Sequence, residues 1–65
     1  MVIEQVKQAH EMEWMRIPGV EGVGIGQDEL GNPSILIYVS SKETEQRLPK
    51  SVAGHRIQAV NLGAP

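Results

Sequence analysis

Along the first stretch of the chain the stripe Ile3, Val6, His10, Trp14 and Ile17, apolar apart from its histidine, recurs at intervals of three and four, with Ala9 beside it. That is the period of a helix with one buried face, and it predicts an amphipathic helix over residues 2–16. Glu4, Lys7, Gln8 and Glu11 fall on its wet side. Ile17-Pro18-Gly19 ends it, because proline biases the preceding residue away from the helical region. From Val20 to Gln27 the period changes to two. Val23 and Ile25 alternate with Gly22, Gly24 and Gly26, which predicts a strand with one aliphatic face and one almost bare face. Asp28-Glu29-Leu30-Gly31-Asn32-Pro33 has the composition of a turn.

Ser34–Ser40 predicts a second strand, with Ile35, Ile37 and Val39 on one face and Leu36 and Tyr38 on the other. In an antiparallel hairpin Leu36 and Tyr38 share a side with the glycines, and Tyr38 is expected over Gly22 or Gly24, an aromatic covering a bare backbone. Ser40 and Glu43 have capping-box spacing, so a short helix is expected over residues 41–48. Pro49 suits the first position of a further helical turn and Gly54 its close. A third strand is expected over His55–Leu62, with Ile57 and Ala59 inward, and Gly63-Ala64-Pro65 as a frayed end. The strand–helix–strand segment implies a right-handed crossover and a parallel pair.

The expected fold class is therefore α+β: a two-layer sandwich in the order α-β-β-α-β. Its three-stranded sheet carries both helices on one face, like half of a ferredoxin-like fold without its first strand. The opposite face would expose Val20, Leu36, Tyr38, Val60 and Leu62 beside the glycines, Arg56 and Gln58.

Composition narrows the picture. The 65 residues make one small α+β domain, 1–65, of 7.1 kDa. A chain of this length buries only ~60% of its unfolded surface, so self-association is an available source of extra stability. Zero cysteines exclude disulfides, thiolate metal sites and thiol catalysis. A net charge of −2 opposes a general affinity for nucleic acid. Lys7, Lys42, Lys50, Arg47 and Arg56 are scattered among acids, and Tyr38 with Arg56 is the only hint of a nucleic-acid platform. No run has the ~18 apolar residues of a membrane span, and the N-terminus lacks a basic and apolar leader. The expectation is a cytoplasmic chain with neither membrane nor nucleic acid as partner.

Two resemblances rest on these residues. The run Ile17-Pro18-Gly19-Val20-Glu21-Gly22-Val23-Gly24-Ile25-Gly26, followed by Gly31-Asn32-Pro33-Ser34-Ile35, Ile37-Tyr38-Val39, Leu48-Pro49-Lys50 and Gly54, resembles a group of short bacterial proteins of unassigned function. It is also similar to segments ahead of some bacterial trypsin-like peptidase domains. The likeness spans roughly residues 10–60 and implies no activity and no functional residues. The tail Asn61-Leu62-Gly63-Ala64-Pro65 departs from the Thr-Gly ending of that pattern. Pro18-Gly19-Val20 through the hairpin is more distantly similar to heavy-metal-associated domains, whose paired-cysteine loop and leading strand this chain lacks.

Candidate chemistry is sparse. His10, with Glu13 three residues on, could act as a ligand or proton switch, or be a half-buried histidine with one hydrogen bond. His10-Glu11-Met12-Glu13-Trp14 lacks the second histidine of a zincin helix. His10 and His55 are not spaced to form a metal site with the carboxylates. Ser34, Ser40 or Ser41 could be combined with either histidine and Asp28 as a triad, but a thin sandwich offers no pocket for one. Gly19, Gly22, Gly24 and Gly26 lie in or beside a strand entering a hairpin, whereas phosphate loops lead into a helix N-terminus.

The expectation is a protein without catalytic residues, metal ligands or cofactor. It would bind a protein partner or a second copy of itself through the open face or the first-strand edge, with Gly22, Gly24, Leu36, Tyr38 and Val60 as contacts. A peptidase-associated inhibitor or folding helper, and a small metal or ligand sensor, are the alternatives.

Overall fold

A computed structural model describes residues 2–63. Helix α1 spans Ile3–Met15, strand β1 Val20–Gln27, β2 Pro33–Val39, helix α2 Lys42–Arg47, β3 Ser51–Val52 and β4 His55–Asn61. The protein is α+β, with two helices and a mixed four-stranded sheet in the order β1-β2-β4-β3. β1 runs antiparallel to β2, β2 parallel to β4, and β3 antiparallel to β4.

The core lies between α1 and one face of the sheet. Ile3, Val6 and Trp14 of α1 meet Val20, Ile35, Ile37, Val39 and Ile57, and Leu48, Val52 and Ala59 pack around them. Burial at this scale contributes about 1.5–3 kcal/mol per large aliphatic side chain. The Cα envelope measures 32 × 26 × 15 Å. Its short dimension matches one sheet plus one helical layer.

The two helices are held differently. α1 has no side-chain N-cap and depends on its apolar stripe. α2 has no apolar residue, and Thr44 is its only buried one. Polar bonds hold it instead. The Ser41 hydroxyl accepts the Thr44 N–H at 3.3 Å, and Thr44 Oγ1 donates to the Pro18 carbonyl at 3.1 Å. That stitch fixes the corner after α1, where Gly19 has φ +94° and a Cβ would lie 2.0 Å from Thr44 Oγ1.

Four expectations need correction. The sheet has a fourth strand, so the three-stranded half-ferredoxin description fits only in part. Residues 49–54 do not form a helical turn. Ser51–Val52 pairs with His55–Arg56, and Ala53 and Gly54 both have positive φ, 49° and 80°, as a tight two-residue hairpin turn requires. Ser41, not Ser40, caps α2, because the Ser40 hydroxyl donates to the Gly19 carbonyl at 3.2 Å. Val20 belongs to the core. The register slips between Val20 and Gly22, so Glu21 is an extra bulged residue and Val20 turns to the helix side. At the C-terminal end, the Gly63 N–H donates to Asn61 Oδ1 at 2.9 Å. The rest of the expected frayed end, Ala64 and Pro65, lies outside the described residues.

Candidate interaction surface

The even positions of β2 build the other sheet face. Register places Gly22, Tyr38 and Val60 in one row and Gly24, Leu36 and Gln58 in the next. Gly26, Ser34 and Arg56 form a third. All five residues expected as contacts, Gly22, Gly24, Leu36, Tyr38 and Val60, thus share two adjacent rows, and all are half-buried.

Tyr38 lies along the glycine strand as expected. A Cβ on Gly22 would sit 3.6 Å from Tyr38 Cδ2, and one on Gly24 3.7 Å from Cε2. Leu36 presses closer, with its Cδ1 2.7 Å from a Cβ on Gly26. Leu36 and Tyr38 therefore lean over β1 and occupy the volume its missing side chains leave. The face is an apolar strip bordered by polar groups. Ser34 donates to Gln58 Oε1 at 3.3 Å, and Arg56 meets Glu29 at 3.4 Å. The exposed Arg56–Glu29 pair adds little stability.

The sheet's two edges differ. On the β1 side the outer edge of the strand has no partner strand among the described residues. The Asp28 N–H donates to the Asn32 carbonyl at 2.9 Å, continuing the β1–β2 register. Hydrogen-bonded pairs alternate with non-bonded ones in such a ladder. Gly22, Gly24 and Gly26 therefore bond inward to β2, while the backbone groups of Val23, Ile25 and Gln27 point out. Ile25 is 42% exposed. It floors a groove of about 440 Å³ against Glu4, Lys7, Gln8 and Glu11. Lys7 and Glu11 form an ion pair within α1 and are half-buried there, although periodicity puts both on the wet side.

On the other side, β3 covers only the start of β4. A second groove of about 680 Å³ opens beyond it, lined by Leu48, Pro49, Lys50, Arg56, Gln58 and Ala59 among others. Periodicity along the chain does not reveal this groove, because it depends on where a two-residue strand stops. The Ala53-Gly54 pair between Val52 and His55 is the one signal of it in the sequence.

The remaining candidates have structural positions. The His10 ring stacks on Trp14 with centroids 5.4 Å apart, and its Nδ1 lies 3.7 Å from Glu13 Oε2. His55 opens β4 opposite Val52. Among the described residues, no group of three or more His, Cys, Asp or Glu is gathered closely enough to hold a metal ion. Ser34, Ser40 and Ser41 engage Gln58, Gly19 and Thr44 respectively. No helix among the described residues is long and apolar enough to cross a membrane. No family model, curated protein or solved structure matches the chain.

Proposed function

We propose that this protein is a non-catalytic interaction module that docks a protein segment on its open sheet face. The observation that carries the reading is the pair of rows Gly22–Tyr38–Val60 and Gly24–Leu36–Gln58. They form an aromatic and aliphatic strip outside the core, on a sheet whose helical layer packs on the other side. An aromatic anchor on a rigid strand, beside bare backbone that lets a partner approach closely, suits a small protein interface. The partner is an apolar peptide segment, because the centre of the strip carries no charge and its ionic groups, Arg56 and Glu29, lie at one end.

Selection of displayed peptides against the immobilised chain tests this. Binders enriched in aliphatic and aromatic residues, and lost on Tyr38→Glu, are the expected result. Binders that Tyr38→Glu and Leu36→Glu leave unaffected overturn it.

A further inference from the structure

We infer that the outer edge of β1 is a self-complementary interface: two copies of this chain pair β1 to β1, antiparallel, about a two-fold axis at Gly24. This rests on the reading of the protein as an interaction module and names one partner and its register. The edge is eight residues long, contains no Lys, Arg or Pro, and is bulged only at Glu21. Natural edges are usually guarded by charged residues, proline or bulges, and here the charge and the bulge both fall at Glu21, leaving residues 22–27 unguarded.

Which backbone groups point outward restricts the pairing. Val23, Ile25 and Gln27 must face outward-pointing residues of the partner, so the axis passes through a residue and not between two. An axis at Ile25 sets Ile25 opposite its own copy and Val23 opposite Gln27, so that only one aliphatic pair forms. An axis at Val23 sets Glu21 opposite Ile25. An axis at Gly24 sets Val23 opposite Ile25 and Glu21 opposite Gln27. It also sets Gly22 opposite Gly26 and Gly24 opposite its own copy.

In that register Val23 and Ile25 exchange both backbone hydrogen bonds, twice by symmetry. The aliphatic pairs cover Ile25, which is 42% exposed in the single chain. Cross-strand pairs of this kind favour association, and like charges directly opposite oppose it. The glycines leave no side chains to collide on the open side. On the helix side, the groove above Ile25 is lined by Lys7 and Glu11. The product is one continuous sheet whose two open faces join into a single surface carrying two copies of Tyr38.

The test is solution mass by light scattering from micromolar to millimolar concentration, for the full chain and two variants. Amide exchange and mixed-label NMR are run on the same samples. The wild type is expected to approach twice the 7.1 kDa chain mass. Slowed exchange at Val23, Ile25 and Gln27, with contacts between the Gly24 residues of the two copies, is expected alongside. Ile25→Lys puts a charge on an exposed position and should leave the fold intact by circular dichroism. It should weaken association roughly tenfold or more, since edge lysines block strand addition. Tyr38→Glu should leave the dimer in place.

A strict monomer at millimolar concentration overturns self-pairing while peptide capture by the face survives. A dimer lost on Tyr38→Glu but kept on Ile25→Lys overturns the edge in favour of face-to-face association. Open-ended growth in mass overturns the closed two-fold in favour of β1 pairing with the β4 edge of the next copy.

Discussion

Ile37 and Tyr38 are neighbours on β2 and lie on opposite sides of one sheet. Ile37 is 0% exposed and enclosed by α1 and the strands around it. Tyr38 is half-buried and rests on the backbone of Gly22 and Gly24. Both are large and apolar enough to build a core, yet only the first has a second layer over it. A residue closed in on all sides contributes its full transfer free energy and leaves a cavity when removed. One lying flat on a glycine strand gives up less of its surface and leaves only a groove open to water. In so small a chain the helical side sustains the fold, and the opposite side is available for contact with something else.

The largest effect should come from the helical side. Trp14→Ala and Ile37→Ala remove the widest and one of the most enclosed side chains of the core. Losses of about 3–5 and 2–5 kcal/mol are expected. Against a total stability of roughly 5 kcal/mol for a domain this small, either variant should show a broad or absent urea transition. If both melt like the wild type, the contrast between the two faces fails.

Next comes the corner that ties the layers together. Gly19→Ala places a Cβ where Thr44 Oγ1 now sits and holds alanine at φ +94°. The left-handed backbone costs about 1–2 kcal/mol, and displacing Thr44 breaks its bond to the Pro18 carbonyl, worth about 1 kcal/mol more. A fall of about 2–3 kcal/mol in chemical denaturation is expected, and restoring space with Thr44→Ser should recover little, since the serine hydroxyl would still clash. Gly54→Ala has a similar φ, +80°, but nothing within 4 Å. Its cost should stay near the backbone term alone, about 1–2 kcal/mol. Comparing the two glycines separates strain from collision.

These contrasts bear on what was legible in the sequence. The helix stripe and the two alternating strands follow from period alone, because each has one face committed to the core. The placement of Tyr38 on the glycines follows from the same alternation once the hairpin is antiparallel. Glu21 marks where that logic stops. One bulged residue reverses the parity of everything before it, so Val20 turns inward although its position in the alternation points out. β3 is too short, at two residues, to carry any period. Its turn uses Ala53 at φ 49°, a conformation alanine seldom announces. Ser40 and Ser41 are equivalent candidates until the carbonyl of Gly19 engages the hydroxyl of Ser40. The edge interface was half visible. An unguarded β1 can be read from its residues, whereas the outward set Val23, Ile25 and Gln27 needs the Asp28–Asn32 bond to fix the phase of the ladder.

On the open face the effects should be smaller. Tyr38→Ala uncovers two glycines and loses one cross-strand aromatic contact. Its cost is about 1 kcal/mol, well below that of Ile37→Ala one position away. Equal losses would mean that the tyrosine is part of the folding core, which would weaken the case for it as a docking residue. Capture of apolar peptides should fall far more steeply than stability in this variant.

The smallest change asks why β1 is bare at all. Glycine in a strand is destabilised by roughly 0.5–1 kcal/mol relative to alanine. At Gly24 an added Cβ would meet Tyr38 Cε2 at 3.7 Å, an ordinary contact. Gly24→Ala should therefore raise the denaturation midpoint slightly. At Gly26 a Cβ would fall 2.7 Å from Leu36 Cδ1, so Gly26→Ala must first move a flexible leucine and should gain less. If Gly24→Ala instead destabilises, the bare strand serves the packing of Tyr38 and the fold alone accounts for it. If it stabilises the chain and also weakens peptide capture, bareness at that position works against folding and in favour of contact, which is the property expected of an interaction surface and not of a core.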